Sequence, residues 1–297
     1  MAETAAERLS NLHAPTGRMK FTYARGGRSW FRRKLISSVE LASGSRHLER
    51  LYDDWVASGA QGNPFEAAIR LLEFQIELAG TPLASIPKEG GVLLVANHPF
   101  GVADGLALGW LATQLRSDVR ILTHASLCRV PEFEPYLLPV DFAETPDARR
   151  RTAAMRRKAT DALEAGAAVV IFPGGSVATS NRPFSRPAAE LPWHPFVARL
   201  ALTDGASIVP VFFHGQNSFL FQMASHVSYA LRVAMLFGET RRRIGGVISM
   251  TVGTSIEPRD LAALPRSDVA RALRRICLVL GDADPEETFF WPSHITW

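Results

Sequence analysis

Three short apolar runs, each cut off by a polar, glycine-containing turn, constrain this chain more than any other feature. Val92 to Ala96 leads into Asn97-His98-Pro99-Phe100-Gly101, Ala168 to Phe172 into Pro173-Gly174-Gly175-Ser176, and Ser207 to Phe213 into His214-Gly215-Gln216-Asn217. Runs this short and continuously apolar have the length and character of strands covered on both faces. Helical segments separate them. Pro195 to Leu202 reads as helix, Gly246 to Gly253 as strand, and Ser267 to Leu280 as a terminal helix with Val269, Leu273, Ile276 and Leu280 on one side. Such alternation predicts an α/β fold, a mixed and mostly parallel central sheet flanked by helices.

The first turn carries a histidine and, at position 104, a carboxylate. Asp104 stands ahead of Leu106, Leu108, Leu111 and Leu115, where a helix begins. On one continuous helix that separation turns about 600°, roughly 240° net, and the two side chains face apart. The pair meets only if Pro99 to Gly101 form a tight turn. His98 then serves as a general base, while Asp104 fixes its tautomer and stabilises the imidazolium, an arrangement suited to deprotonating a hydroxyl or amine. The plainer reading of Asn-His-Pro is a strand-ending turn. Strand end, turn and helix start are where open α/β sheets place ligands.

In the second turn, backbone N–H groups around Gly174 and Gly175 are candidates to bind phosphate or an oxyanion, against the plainer reading of an ordinary strand-to-loop turn. A serine-hydrolase elbow centred on Ser176 is disfavoured, because Thr179-Ser180-Asn181-Arg182-Pro183 reads as loop where the elbow needs a helix. Between the two turns lies a short strand, Leu138-Pro139-Val140-Asp141-Phe142. A helix follows, bearing Arg149, Arg150, Arg151, Arg156, Arg157 and Lys158, with Thr152, Met155, Ala159 and Ala162 as its buried stripe. Guanidinium forks match phosphate oxygens. Arg150, with Arg149, is the candidate, against a merely solvated face.

These blocks resemble the glycerolipid and lysophospholipid acyltransferase superfamily, which is marked by His-x4-Asp. The closer resemblance is to the bacterial branch labelled hemolysin or lyso-ornithine-lipid acyltransferase, whose Asn-His-Pro-x-Gly-x-x-Asp-Gly residues 97–105 match throughout. Ile171-Phe172-Pro173-Gly174-Gly175-Ser176 resembles Phe-Pro-Glu-Gly-Thr, or Phe-Pro-Ala-Gly-Glu in the branch. Ile208 to Ser218 resembles the later apolar strand. The resemblance covers roughly residues 85–260. It implies acyl transfer from acyl-CoA or acyl-ACP to a lysophospholipid or lyso-aminolipid hydroxyl, with His98 and Asp104 catalytic and no metal or other cofactor. It also implies that Gly174, Gly175 and Ser176 bind substrate, and it adds Arg182, since a basic residue often follows the second block. One departure stands out: both family versions carry a glutamate, whereas here Gly174 and Ser176 occupy its two places and the next acidic residue is Glu190. That leaves a second reading, an inactive lipid-binding protein that keeps the fold.

Residues 1–84 read as a helical, basic preface and 85–297 as the catalytic domain. Between residues 18 and 50 nine basic side chains stand against Glu40 and Glu49, interleaved with Phe21, Tyr23, Trp30 and Phe31. That mix suits an anionic bilayer surface, and equally a helix that packs its aromatics inward. No nucleic-acid motif accompanies it. Leu48, Leu51, Tyr52, Trp55 and Val56 form a helical stripe, and a second helix is expected from Pro64 to about Ala79, stopped by Gly80. Ser218 to Phe237 is interrupted by Gln222, His226 and Arg232 and reads as one amphipathic helix or a pair, and no run of about 18 uncharged apolar residues exists to span a bilayer. Cys128 and Cys277 lack metal-like spacing, and no secretory signal is evident. The expectation is a cytoplasmic protein held peripherally at the inner face of the cell membrane.

Overall fold

The computed structural model describes residues 44–124, 130–140, 145–183, 187–292 and 295. The basic, aromatic stretch before residue 44, Cys128 and the last two residues of the expected 138–142 strand lie outside them. Helix α1 (Ser45–Ala57) leads to α2 (Pro64–Leu71). Pro64 opens α2, and the Asn63 carboxamide accepts from the N–H groups of Phe65 and Glu66, satisfying donors a helix start leaves free.

Helix α2 stops eight residues short of the expected end. Glu73 adopts a left-handed φ of 51°, Phe74 N–H closes back on the Ile69 carbonyl, and the chain turns into strand β1 (Gln75–Gly80). The strand is an edge, exposed over most of its length, so its sequence lacks the apolar alternation that signals a half-buried strand.

The chain then alternates. Strand β2 (Gly91–Ala96) is followed by α3 (Val102–Leu115), β3 (Val119–His124), β4 (Leu137–Val140), α4 (Pro146–Glu164) and β5 (Ala168–Ile171). A small hairpin, β6 (Thr179–Ser180) and β7 (Ala188–Ala189), precedes α5 (Phe196–Ala201) and β8 (Ala206–Phe213). The apolar stretch beyond residue 218 is a pair of helices, α6 (Phe219–Val227) and α7 (Tyr229–Arg242). Strand β9 (Val247–Val252), the short α8 (Pro258–Leu261) and α9 (Arg266–Val279) complete the series.

The central sheet runs β1-β9-β8-β2-β5-β3-β4. Every pairing is parallel except β8 with β9. Both faces of β2 are covered, which is why it reads as an unbroken apolar run: Val92, Leu94 and Ala96 pack with α3, while Leu93 and Val95 pack with α4, α5 and α9. Gly109 on α3 makes room for Phe65, since a Cβ there would come within 2.3 Å of the Phe65 ring.

Candidate active site

Parallel pairing decides where the motifs meet. Strand β2 lies between β5 and β8, with Val95 opposite Ile171 and Ala96 opposite Val211, so all three sequence blocks leave the sheet side by side at its carboxyl edge. Asn97 ties two of these ends together: its Nδ2 donates to the Phe213 carbonyl at 3.0 Å and its Oδ1 accepts the Phe213 N–H at 2.7 Å.

His98 follows, and the required tight turn is present. Gly101 takes a φ of 91°, a conformation that only glycine adopts without strain, and α3 starts at the next residue. Asp104 lies in the first turn of α3, fully buried. Its Oδ2 accepts the N–H groups of Phe100 and Gly101 at 2.8 and 2.9 Å and stands 2.9 Å from His98 Nδ1, off the line of a full hydrogen bond. The carboxylate thus organises the turn and faces the ring, favouring the proton on Nδ1 and leaving the Nε2 lone pair for a substrate proton. The His98 side chain is 17% exposed, accessible from one side.

The rest of His98 is gripped by the second block and its sequel. The Phe172 ring stacks on the imidazole at 4.2 Å between centroids and 28° between planes. Ala178 N–H donates to the His98 carbonyl at 2.7 Å. The His98 N–H donates to Glu190 Oε1, also at 2.7 Å, and Trp193 Nε1 donates to Glu190 Oε2 at 3.2 Å. Glu190 is buried at 3% exposure, directly over Gly174: a Cβ on Gly174 would stand 2.8 Å from Glu190 Oε2. Burial raises the pKa of this carboxyl, opposed by the His98 N–H and by the His98 and Arg274 charges.

The acyltransferase family profile matches residues 81–214, a span that takes in all three strand ends and Glu190. Residues 81–214 are similar to the acyltransferase family. Two lyso-glycine lipid O-acyltransferases are similar in sequence. One, from Phocaeicola vulgatus, is 26% identical over 202 residues, 64% of this chain and 67% of that protein. The other, from Bacteroides thetaiotaomicron, is 27% identical over 181 residues, 58% of this chain and 61% of that protein. Among solved structures, the 1-acyl-sn-glycerophosphate acyltransferase PlsC from Thermotoga maritima aligns at a TM-score of 0.47 and 14% identity, covering 84% of this chain and 79% of that one.

Around the acyltransferase core the sequence candidates fall into two groups. Gly174, Gly175 and Ser176 lie at the site. Gly175 N–H, however, closes the turn onto the Phe172 carbonyl at 3.0 Å, and Ser176 Oγ accepts from Arg232 Nη2 at 3.3 Å. Arg149 and Arg150 are exposed on α4, Arg150 in contact with Asp147, and Arg182 is exposed beyond β6. The arginine of that helix that reaches the second block is Arg156. Its Nη2 stands 3.4 Å from His194 Nε2 and its guanidinium lies over Phe196, while His194 N–H donates to the Pro173 carbonyl. His214 turns to Thr251 Oγ1 on β9, and Asn217 Nδ2 supports the Phe100 carbonyl. Sequence reasoning named Arg156 only among the arginines of its helix, behind Arg150, and missed Glu190 and Arg243, the latter's guanidinium covering the Phe100 ring at 3.6 Å and bonding Gln216 O and Asn217 Oδ1.

An apolar cleft of ≈ 140 Å³ lies between α1, α2, α3 and α7. Val102, the first residue of α3, lines it together with Leu51, Trp55, Leu106, Phe133 and Phe237.

Proposed function

We propose that this chain transfers a fatty acyl group from an acyl thioester, carried on CoA or acyl carrier protein, to the hydroxyl of a lyso-lipid, and that the lyso-lipid is an aminolipid of the lyso-glycine kind. His98 Nε2 takes the hydroxyl proton and the oxygen attacks the thioester carbonyl. As the tetrahedral intermediate collapses the C–S bond breaks, the new ester forms, and the imidazolium returns its proton to the departing thiolate. Asp104 holds the imidazole tautomer and offsets the imidazolium charge.

The observation that carries this reading is the 2.9 Å approach of His98 Nδ1 to a buried Asp104 at the shared carboxyl edge of three strands, inside the segment the family profile covers. The names of the two sequence relatives support a lyso-lipid acceptor and O-acylation. The apolar cleft reaching Val102 suits the acyl chain. Among the described residues no helix is long and apolar enough to cross a membrane, so the reading includes peripheral attachment at the inner face of the cell membrane. The rival reading, a lipid-binding protein that has lost its chemistry, draws on the glutamate missing at Gly174 and Ser176. A carboxylate over Gly174, supplied by Glu190, weighs against it.

The test is direct. Purified protein is incubated with radiolabelled acyl-CoA or acyl-ACP and a panel of lysophospholipids and lyso-aminolipids, beside His98→Ala. A diacylated product made by the wild type and absent with the variant supports the reading. No product from any pair, with folded wild type, overturns it in favour of lipid binding.

A further inference from the structure

Arg232, on α7, is 2% exposed, the largest fully buried side chain among the described residues. Its guanidinium lies between the rings of Phe221 and Trp291, 4.8 and 4.9 Å from their centroids. Its N–H groups go to Thr179 Oγ1, Ser225 Oγ, the Val177 carbonyl and Ser176 Oγ. All four acceptors are neutral. Among the described residues no carboxylate comes within ion-pair distance of it, and burial pushes its pKa down to about 9, which still leaves it charged at neutral pH. Buried charges are ordinarily paired, because an uncompensated one is expensive in a low dielectric.

This cation touches the second block through Ser176. A hydroxyl that accepts from a guanidinium becomes a polarised donor, and the Ser176 hydroxyl donates to no described group. Ser176 is half-buried and follows exposed Gly175 in the turn after Phe172, whose ring stacks on His98. Two fully buried polar atoms belong to the same cluster without a partner, Ser180 Oγ and Gln222 Nε2, although the Ser180 N–H donates to Gln222 Oε1 at 2.9 Å. A donor-rich cluster with one uncompensated positive charge suits a ligand that brings acceptor atoms and one negative charge.

We propose that Arg232, acting through Ser176, selects an acceptor lipid whose head carries a carboxylate. The inference rests on the acyl-transfer reading and names the acceptor class for that same site. A carboxylate brings one charge to one guanidinium, a phosphate monoester about 1.5 to 2; a phosphodiester also brings one, and the carboxylate is the anion that the proposed lyso-glycine acceptor carries. The low dielectric around Arg232 lets its charge act across the intervening hydroxyl.

The test measures binding, so that it is separate from catalysis. A soluble short-chain N-(3-hydroxyacyl)glycine and its methyl ester are titrated against the full chain, following intrinsic tryptophan fluorescence. The wild type binds the acid at least ~10-fold more tightly than the ester, the scale of a hydrogen bond to a charged group. Ser176→Ala brings the two within about threefold, on the reasoning that the relay between charge and ligand is gone. Arg232→Met gives the same collapse, and if its buried position does not tolerate the change Ser176→Ala carries the decision. Equal affinities in the wild type, an unchanged ratio in Ser176→Ala, or no binding of either compound overturns the inference. An acid that binds selectively and is never acylated overturns the transfer reading and leaves this one standing. An ester bound and acylated as well as the acid does the reverse.

Discussion

Glu190 Oε2 stands 2.8 Å from the point where a Cβ on Gly174 would be, so a side chain at 174 forces the buried carboxyl to shift. Because Glu190 also accepts the His98 N–H, crowding at 174 should be felt at the His98 turn. Gly174→Glu is expected to destabilise by about 1–3 kcal/mol through overpacking and to slow acyl transfer. Glu190→Ala alone leaves the His98 N–H without its acceptor, at a cost of roughly 1–3 kcal/mol. The double variant Gly174→Glu/Glu190→Ala should be better than the sum of the two, because each change removes the other's conflict. A double-mutant cycle on denaturation midpoint and rate checks this, and strict additivity would count against the conflict.

Burial raises the folded-state pKa of Glu190 above the ordinary carboxylate range. A group raised in this way stabilises the fold below its unfolded-state pKa, and that contribution is lost as pH rises through the folded-state value. The stability difference between Glu190→Gln and wild type should therefore shift in favour of the variant as pH climbs from the ordinary carboxylate range toward neutrality. Thermal melts of both proteins from pH 4 to 8 read it, with a constant offset as the outcome that sinks it. The Trp193 hydrogen bond favours the charged carboxyl and so reduces the slope without reversing it.

What could be read from sequence follows from how local the determinants are. Strands β2, β5 and β8 announce themselves because each is covered on both faces and ends at a polar turn. Strand β1 does not, since an exposed edge strand carries no burial pattern and the helix before it ends on one left-handed residue, Glu73. His98 and Asp104 are close in sequence, and the Pro99 to Gly101 turn that must bring them together lies between them, so the condition for the geometry is local. Glu190 returns to Gly174 only after the chain has passed through β6 and β7, a closure that no short motif encodes. Gln222 and Arg232, which look like interruptions of an apolar stretch, are buried, their polarity turned toward the hairpin rather than toward solvent.

His98→Ala removes the proposed base, and Asp104→Asn, with its carboxamide oxygen at the Oδ2 position, still accepts the Phe100 and Gly101 N–H groups but lacks the charge that offsets the imidazolium. Each is expected to slow transfer by about 10²- to 10⁴-fold. Lyso-lipid affinity should change far less for His98→Ala than the rate does. Single-turnover rates beside equilibrium binding separate the two, and a His98→Ala variant retaining near-wild-type rate would remove the base from the mechanism.

The arginines of α4 should divide by their surroundings. Arg150 is exposed beside Asp147, and Arg150→Ala is expected to fall within about 0.5 kcal/mol of wild type in stability. Arg156→Ala loses the contact over Phe196, worth about 0.5–1 kcal/mol, and frees His194, whose backbone holds Pro173. The affinity for acyl-CoA should drop with Arg156→Ala and not with Arg150→Ala if the phosphates are met near the second block. Parallel titrations decide between them.

The cleft between α1, α2, α3 and α7 reaches Val102, which follows the His98 turn in sequence, and Leu106 stands one helical turn farther along its wall. An acyl chain lying in the cleft would contact Leu106 together with Trp55 and Leu51. Leu106→Trp fills that space without touching His98 or Asp104, so it should lower transfer of long acyl chains while leaving short ones near their wild-type rate. A competition among C8, C12 and C16 thioesters gives the readout as a ratio that does not depend on how much variant protein is active. A uniform loss across chain lengths would mean that the cleft does not hold the acyl chain. A loss confined to the longer ones would assign it that role and make Leu106 the residue that sets chain length.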